Sequence, residues 1–158
     1  MQLGVSVVMM HVLILGCMAV STIGCSRETE EDKVKNVVTV IQKAAEEKNL
    51  KKIVEVLAKT YRDPQEYDYS TIRTMLAGYF LKYPRISVYM MNIEVHVENK
   101  SAKALFQVIL RGRNVQELDP PLGSGELGVY DFEVKFEKME DEWKVVSAQW
   151  VRSDEKKR

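Results

Sequence analysis

The first 26 residues of this 158-residue chain lack charge entirely, because none of the 23 Lys and Arg or 23 Asp and Glu residues precedes Arg27. The charges of residues 27–158 balance to a formal net charge of zero. A domain without an excess of basic side chains cannot displace many counterions from nucleic acid, so we expect no nucleic-acid partner. The pattern predicts an uncharged leader followed by a charge-rich folded domain.

The charged part of the chain also lacks cysteine and has little histidine. Both cysteines, Cys17 and Cys25, lie in the leader, and the one histidine beyond it is His96. This excludes from the domain a disulfide scaffold, a cysteine nucleophile and a zinc site built on thiolates or paired imidazoles. We therefore expect no metal and no cofactor, in a domain long enough to bury one hydrophobic core.

The leader is a long apolar run from Leu3 to Gly24. About 20 apolar residues can cross a bilayer as a helix, whereas a signal peptide is removed from the mature protein. Two segments of the run resemble the lipobox of bacterial lipoproteins: Ile14-Leu15-Gly16-Cys17 and Thr22-Ile23-Gly24-Cys25. Residues 1–24 are accordingly predicted to be a lipoprotein signal peptide, with an uncleaved membrane anchor as the alternative.

The lipobox resemblance implies that a cysteine is acylated and inserts its lipid into a membrane. Cys25 is the preferred site, because the apolar run ends there and an acidic spacer follows over residues 25–31. Cys17 is the alternative, because branched aliphatic residues precede it. Ser26 is not the aspartate that marks inner-membrane retention, so the resemblance implies a bacterial envelope protein that faces the periplasm, with the outer membrane favoured.

The predicted domain covers residues 32–152 and starts with three helices. Apolar residues recur at helical spacing over Glu30–Glu47. Asn49 is the predicted N-cap of a short second helix, and Ser70 is that of a third helix, which Pro84 ends.

Beyond Pro84 the apolar residues alternate, which predicts strands. The alternation changes phase near Met91-Asn92, which indicates a β-bulge. Asn99-Lys100 marks a turn, and the prolines and glycines of residues 119–125 mark a loop. The sequence thus predicts an α+β domain with helices packed on at least four antiparallel strands, followed by a charged tail at 153–158.

This order of elements resembles the nuclear transport factor 2-like superfamily, which includes ketosteroid isomerase-like and SnoaL-like proteins. The strongest part of the resemblance is the closing strand, Glu142-Trp143-Lys144-Val145-Val146-Ser147-Ala148-Gln149-Trp150. The resemblance covers essentially the whole domain, and it implies a curved antiparallel sheet that helices wrap into a cone. Members include isomerases, dehydratases, adaptors and lipoproteins without known activity, so the fold selects no function.

The strand positions predicted to face the cone interior carry no carboxylate: they are Ala102, Ala104, Phe106, Val108, Leu110, Tyr130, Phe132 and Val134. The isomerase-like enzymes use an interior carboxylate as base, with tyrosine or carboxylic-acid donors. We therefore assign no catalytic residue. The preferred function is binding of a small apolar ligand or a protein partner, and the alternative is an isomerase, dehydratase or hydrolase.

Four aromatic residues with polar tips are predicted to line a pocket inside the cone: Tyr61, Tyr79, Tyr83 and Trp150. Tyr79 and Tyr83 are four residues apart and share one face of the third helix. His96 and the arginines of Arg111-Gly112-Arg113 are expected at the surface.

The strands also carry apolar residues on their second face, namely Tyr89, Leu105 and Ile109. If only one face of the sheet were covered, apolar and polar residues would alternate more regularly along its strands. We therefore expect the second face to be covered too, most simply by a second copy of the chain in a homodimer.

Overall fold

The computed structural model describes residues 28–113 and 126–153. Three helices come first, α1 (Glu30–Glu46), α2 (Leu50–Val56) and α3 (Tyr69–Lys82). Four strands follow, β1 (Arg85–Glu98), β2 (Ser101–Arg113), β3 (Glu126–Met139) and β4 (Glu142–Arg152). This order confirms the predicted α+β class.

Several predictions fall outside the described residues. They concern the leader with Cys17 and Cys25, the loop at 119–125 and the tail beyond Ser153. Within the two described ranges, none of the helices combines the length and the apolar character needed to cross a membrane.

Side-chain caps set where the first two helices begin. Thr29 and Asp32 form a capping box, in which the Asp32 amide donates to Thr29 Oγ1 at 3.1 Å and the Thr29 amide to Asp32 Oδ2 at 3.1 Å. The helix therefore begins at Glu30, inside the range 25–31 predicted as a spacer. Asn49 caps α2 as predicted, because its side chain accepts the Lys52 amide at 3.1 Å.

The predicted cap of α3 at Ser70 is wrong. Asp68 is the cap, and its Oδ1 accepts the Thr71 amide at 2.8 Å. Asp68 also forms a β-bridge with Arg62, which holds its backbone extended, as an N-cap requires. The helix therefore starts at Tyr69, and Ser70 lies within its first turn.

The four strands form one antiparallel sheet in the order β1-β2-β3-β4. The pairing of β1 with β2 shifts between Met91 and Glu94, where Asn92 has a φ of 55°, which confirms the predicted bulge. A second bulge lies in β4, because Val145 pairs with Phe136 while Ser147 pairs with Lys135. Bulges bend and twist strands, and these two curve the sheet so that one face is concave.

Helix α1 lies against the concave face and runs along the sheet from one end to the other. At its start, Trp143 Nε1 of the β3–β4 hairpin donates to Glu30 Oε2 at 2.9 Å. Near its end, Gln42 Nε2 donates to the Val88 carbonyl at 2.7 Å, and the Val88 amide donates to Glu46 Oε1 at 3.0 Å. These bonds fix the helix to the hairpin and to the outer edge of β1.

The hydrophobic core fills the hairpin end of the sheet. Val34 of α1 is fully buried there, together with Ala104, Phe136 and Trp143. At the β4 edge, the segment after α2 adds main-chain hydrogen bonds, from Ala58 to the Val145 carbonyl at 2.9 Å among others. Side chains and main-chain hydrogen bonds therefore fill the hairpin end of the domain.

Candidate ligand-binding cavity

A cavity of about 780 Å³ lies between α3 and the concave face of the sheet. Helix α3 packs against α2 and stays farther from the strands than α1 does, which leaves this space unfilled. The exposed lining residues Tyr79, Arg111 and Arg152 mark where the cavity opens, which we call the mouth. The mouth lies at the opposite end of the sheet from the β3–β4 hairpin.

Three stacked rings line the cavity on the sheet side. Phe106, Phe132 and Trp150 lie opposite one another on β2, β3 and β4. The ring centroids of Phe106 and Phe132 are 5.5 Å apart, and those of Phe132 and Trp150 are 6.0 Å apart. We call this row the aromatic ladder. Cross-strand aromatic pairs stabilise a sheet, and here they also give the cavity one continuous aromatic wall.

The bulge in β4 makes the ladder complete. Strict alternation from the buried residues Trp143 and Val145 would place Trp150 on the outer face. The extra residue, Val146, shifts the phase, so that Ala148 and Trp150 line the cavity.

The structure brings the four predicted residues together around the cavity, since Tyr61, Tyr79, Tyr83 and Trp150 all line it. Tyr79 and Tyr83 stack with ring centroids 6.2 Å apart, and Tyr79 remains half exposed at the mouth while Tyr83 is buried. Tyr61 lies deeper and Trp150 ends the ladder. The set therefore spans the cavity from its interior to its opening.

Tyr61 uses its hydroxyl group for structure. The O–H lies 3.3 Å from Oδ2 of the buried Asp63, to which it donates, while Asp63 Oδ1 accepts the amides of Gln65 and Tyr67 at 2.9 Å each. Burial, and then the negative charge of Asp63, raise the pKa of Tyr61 far above its usual range. The phenol stays protonated and directs its proton at Asp63. The part of Tyr61 that lines the cavity is therefore its ring.

Tyr83 joins the end of α3 to the sheet beside the mouth. Its ring lies over Gly112, where an added Cβ would be 2.7 Å from Tyr83 Cδ1. Lys48 Nζ holds the same helix end, since it donates to the Phe80 carbonyl at 3.2 Å and to the Tyr83 carbonyl at 3.5 Å. These contacts fix the end of α3 to the sheet at one side of the mouth.

The described residues that line the cavity include no Asp, Glu or His. The charged ones are Arg111 and Arg152, both at the mouth. His96 is exposed on the outer face, as expected. Within the described ranges, no three His, Cys, Asp or Glu side chains converge to hold a metal. The described lining is thus mainly apolar and aromatic, as in pockets that bind small molecules.

Several residues that line the cavity were not predicted from the sequence to be site residues. Phe106 and Phe132 were predicted to face inward, but nothing indicated that they border a cavity rather than fill a core. Arg152 was not singled out at all, although it follows Trp150 at the alternating spacing that places both on one face.

Neither a protein-family model nor a curated protein matches this sequence. Solved structures do resemble it. A candidate scytalone dehydratase from Novosphingobium aromaticivorans gives a TM-score of 0.68 at 10% identity, over 77% of this chain and 82% of that one. A candidate dehydratase of the nuclear transport factor 2-like family from Streptomyces avermitilis gives a TM-score of 0.65 at 13% identity. The match covers 77% of this chain and 94% of that one.

A Bdellovibrio bacteriovorus protein gives a TM-score of 0.59 at 14% identity over 75% of this chain, which spans only 40% of that protein. Identities this low show a common fold and nothing about activity. The chain has the nuclear transport factor 2-like cone fold, as the closing strand and the order of elements predicted.

Proposed function

We propose that the domain binds a small, largely apolar molecule in its cavity and carries out no reaction on it. The observation that carries this proposal is the cavity itself, about 780 Å³ with an aromatic ladder along one wall. Pockets for small molecules have volumes of roughly 300–1,000 Å³ and are lined mainly by apolar and aromatic side chains. The free energy of binding would come from burying apolar surface.

An isomerase, dehydratase or hydrolase is the alternative, and the two candidate dehydratases with this fold favour it. Such chemistry needs a group that takes or gives a proton. The described lining supplies no carboxylate or imidazole, and the Tyr61 proton is directed at Asp63. These two observations favour binding over catalysis.

Binding can be tested with N-phenyl-1-naphthylamine, a neutral dye whose fluorescence rises in apolar surroundings. Ala148 lines the cavity, so Ala148→Phe places a ring inside it. The neighbouring Ser147 pairs with Lys135 and does not line the cavity, so Ser147→Phe is the matched control. We expect Ala148→Phe to weaken dye binding at least tenfold and Ser147→Phe to leave it unchanged. Equal binding by both folded variants would contradict the proposal.

We also propose that an acylated Cys25 holds the protein on the envelope membrane, facing the periplasm, with Cys17 as the alternative site. Support comes from the sequence, in which the apolar run ends at Cys25 and acidic residues follow. Cys25→Ala and Cys17→Ala form a matched pair for mass spectrometry of the membrane fraction. Loss of the lipid in one variant identifies the site, and a full-length unmodified chain in both indicates a transmembrane anchor.

The outer face of the sheet is our proposed homodimer surface. Tyr89, Ile109 and Val129 lie opposite one another across β1, β2 and β3, with Tyr89 about half exposed. Sedimentation of the chain without its leader tests this. We expect a dimer that Tyr89→Arg weakens, and a monomer at high micromolar concentration would contradict the proposal.

A further inference from the structure

We propose that the ligand of this cavity is a flat molecule of fused aromatic rings that lies with one face against the aromatic ladder. This inference rests on the proposed binding function and adds the chemical class of the ligand. It starts from the orientation of the ladder rings, which present their edges to the cavity.

The faces of the ladder rings are turned towards each other. The planes of Phe106 and Phe132 are parallel to within 1°, and those of Phe132 and Trp150 differ by 24°. Two rings side by side in one plane would clash at a centroid distance of 5.5 Å, so these parallel rings overlap face to face with an offset. Phe132 therefore has a ring on either side, and it presents its edge to the cavity that it lines.

The edges of aromatic rings favour one kind of neighbour. The quadrupole of a ring places negative charge on its two faces and positive charge along its edge. A row of edges therefore attracts the face of another aromatic ring, in the perpendicular arrangement that aromatic pairs prefer. A saturated ring or an alkyl chain has no negative face, and it would gain only from the burial of apolar surface. The ladder thus favours an aromatic ligand over an aliphatic ligand of equal size.

The extent of the ladder matches fused rings better than a single ring. The ladder crosses three strands, which are about 4.8 Å apart, so its row of edges is about 10 Å long. Helix α3 lines the opposite side of the cavity with Ile72, Met75 and Leu76. A methionine side chain adapts its shape and contacts aromatic rings favourably. These side chains would cover the second face of a flat ligand.

Two polar side chains of the lining are engaged within the chain. The Tyr61 hydroxyl donates to Asp63, and the Gln42 amide donates to the Val88 carbonyl. A charged group placed beside them would lose its hydration without gaining a matching partner. The ring system that lies against the ladder is therefore expected to be uncharged.

The test compares three neutral ligands with the same ten-carbon ring skeleton and the same hydroxymethyl group: 2-naphthalenemethanol, its decahydro derivative and its heptafluoro derivative. Saturation removes the aromatic face, and fluorination makes that face positive. Isothermal titration calorimetry measures each ligand against the wild-type protein, against Phe132→Leu and against Phe80→Leu. Phe80 lines the cavity from α3, so its substitution removes an equal ring from a different wall and is the matched control.

We expect 2-naphthalenemethanol to bind about fivefold tighter than its decahydro derivative, which corresponds to about 1 kcal/mol from aromatic pairing. The heptafluoro derivative should also bind more weakly than 2-naphthalenemethanol. Both derivatives are the more hydrophobic compounds, so burial of apolar surface alone would give the opposite order. Phe132→Leu should remove most of both preferences, and Phe80→Leu should leave them within twofold.

Equal or tighter binding of either derivative to the wild-type protein would overturn this inference, whether or not Phe132→Leu folds. A preference that survives Phe132→Leu, or that Phe80→Leu removes equally, would also overturn it, because the ladder would not be its source. If none of the three ligands binds while the neutral dye does, the inference fails and the proposed function stands. If the dye does not bind either, the proposed function fails together with the inference.

Discussion

The indole nitrogen of Trp143 donates a hydrogen bond to Glu30 Oε2 at 2.9 Å and so joins the β3–β4 hairpin to the first turn of α1. Lys138 Nζ lies 3.0 Å from the same oxygen, and Lys33 Nζ lies 2.7 Å from Oε1. Hydrogen bonds from Lys33, then from Lys138 and Trp143, lower the pKa of Glu30 from 4.5 to about 2.

Glu30→Gln is expected to lower the free energy of unfolding at neutral pH and to flatten its acid dependence. A carboxylate whose pKa falls on folding stabilises the native state above its ordinary pKa, and this contribution disappears as the pH falls from about 4.5 to about 2. Urea unfolding at a series of pH values measures both effects. Glu31→Gln, at an exposed position in the same turn, is the control, and an equal effect of both substitutions would contradict the role of Glu30.

Tyr61→Phe is expected to destabilise the domain by about 1–3 kcal/mol, because Asp63 Oδ2 would lose its donor in a buried site. Affinity for the neutral dye should remain unchanged, because the ring still lines the cavity. Tyr67→Phe alters an exposed hydroxyl in the same turn and should stay within about 0.5 kcal/mol. A stable Tyr61→Phe protein would show that Asp63 finds another donor.

Phe136→Ala and Phe132→Ala compare two rings that line the cavity from one face of β3, one fully packed and one only partly buried. Phe136 is 1% exposed in the core, and its truncation should cost about 3–5 kcal/mol in urea unfolding. Phe132 faces the cavity, so its truncation should cost less, about 1–2 kcal/mol, and should weaken dye binding. The reverse order of the two costs would mean that the cavity is filled by the surrounding side chains.

Gly112→Ala is expected to destabilise the domain by about 1–3 kcal/mol, because the new Cβ would lie 2.7 Å from the Tyr83 ring. In a Tyr83→Ala background this steric cost should vanish, which a double-mutant cycle measures as coupling. Gly78→Ala is the control: no atom lies within 4 Å of its added Cβ, and in the middle of α3 it should stabilise by about 0.5–1 kcal/mol. Additive effects of Gly112→Ala and Tyr83→Ala would contradict the contact.

Local patterns of apolar residues were enough to predict the helices, the strands and one of the two bulges. The bulge near Asn92 was visible because polar residues mark the change of phase in β1. The bulge at Val146 was missed, although the polar positions change phase there too, from Lys144 to Ser147 and Gln149. The cap of α3 was missed because Asp68 and Ser70 suit an N-cap equally, and the bridge with Arg62 decides between them.

The candidate site could be predicted only in part. Alternation along β2 and β3 indicates that Phe106 and Phe132 face inward, and both line the cavity. A cavity depends on how far α3 stays from the sheet, and that distance results from packing between elements far apart in the sequence. Arg152 borders the cavity for the same reason, since it lies at an opening that the sequence does not reveal.

The direction in which α1 runs bears on how the domain would be oriented at a membrane. The helix has 17 residues, about 25 Å at the rise of an α-helix, and it starts at the hairpin end and finishes towards the mouth. The proposed anchor at Cys25 precedes this helix by a few residues, which would hold the hairpin end close to the lipid. The mouth would then point into the periplasm, so that ligands would enter from the aqueous side and not directly from the bilayer.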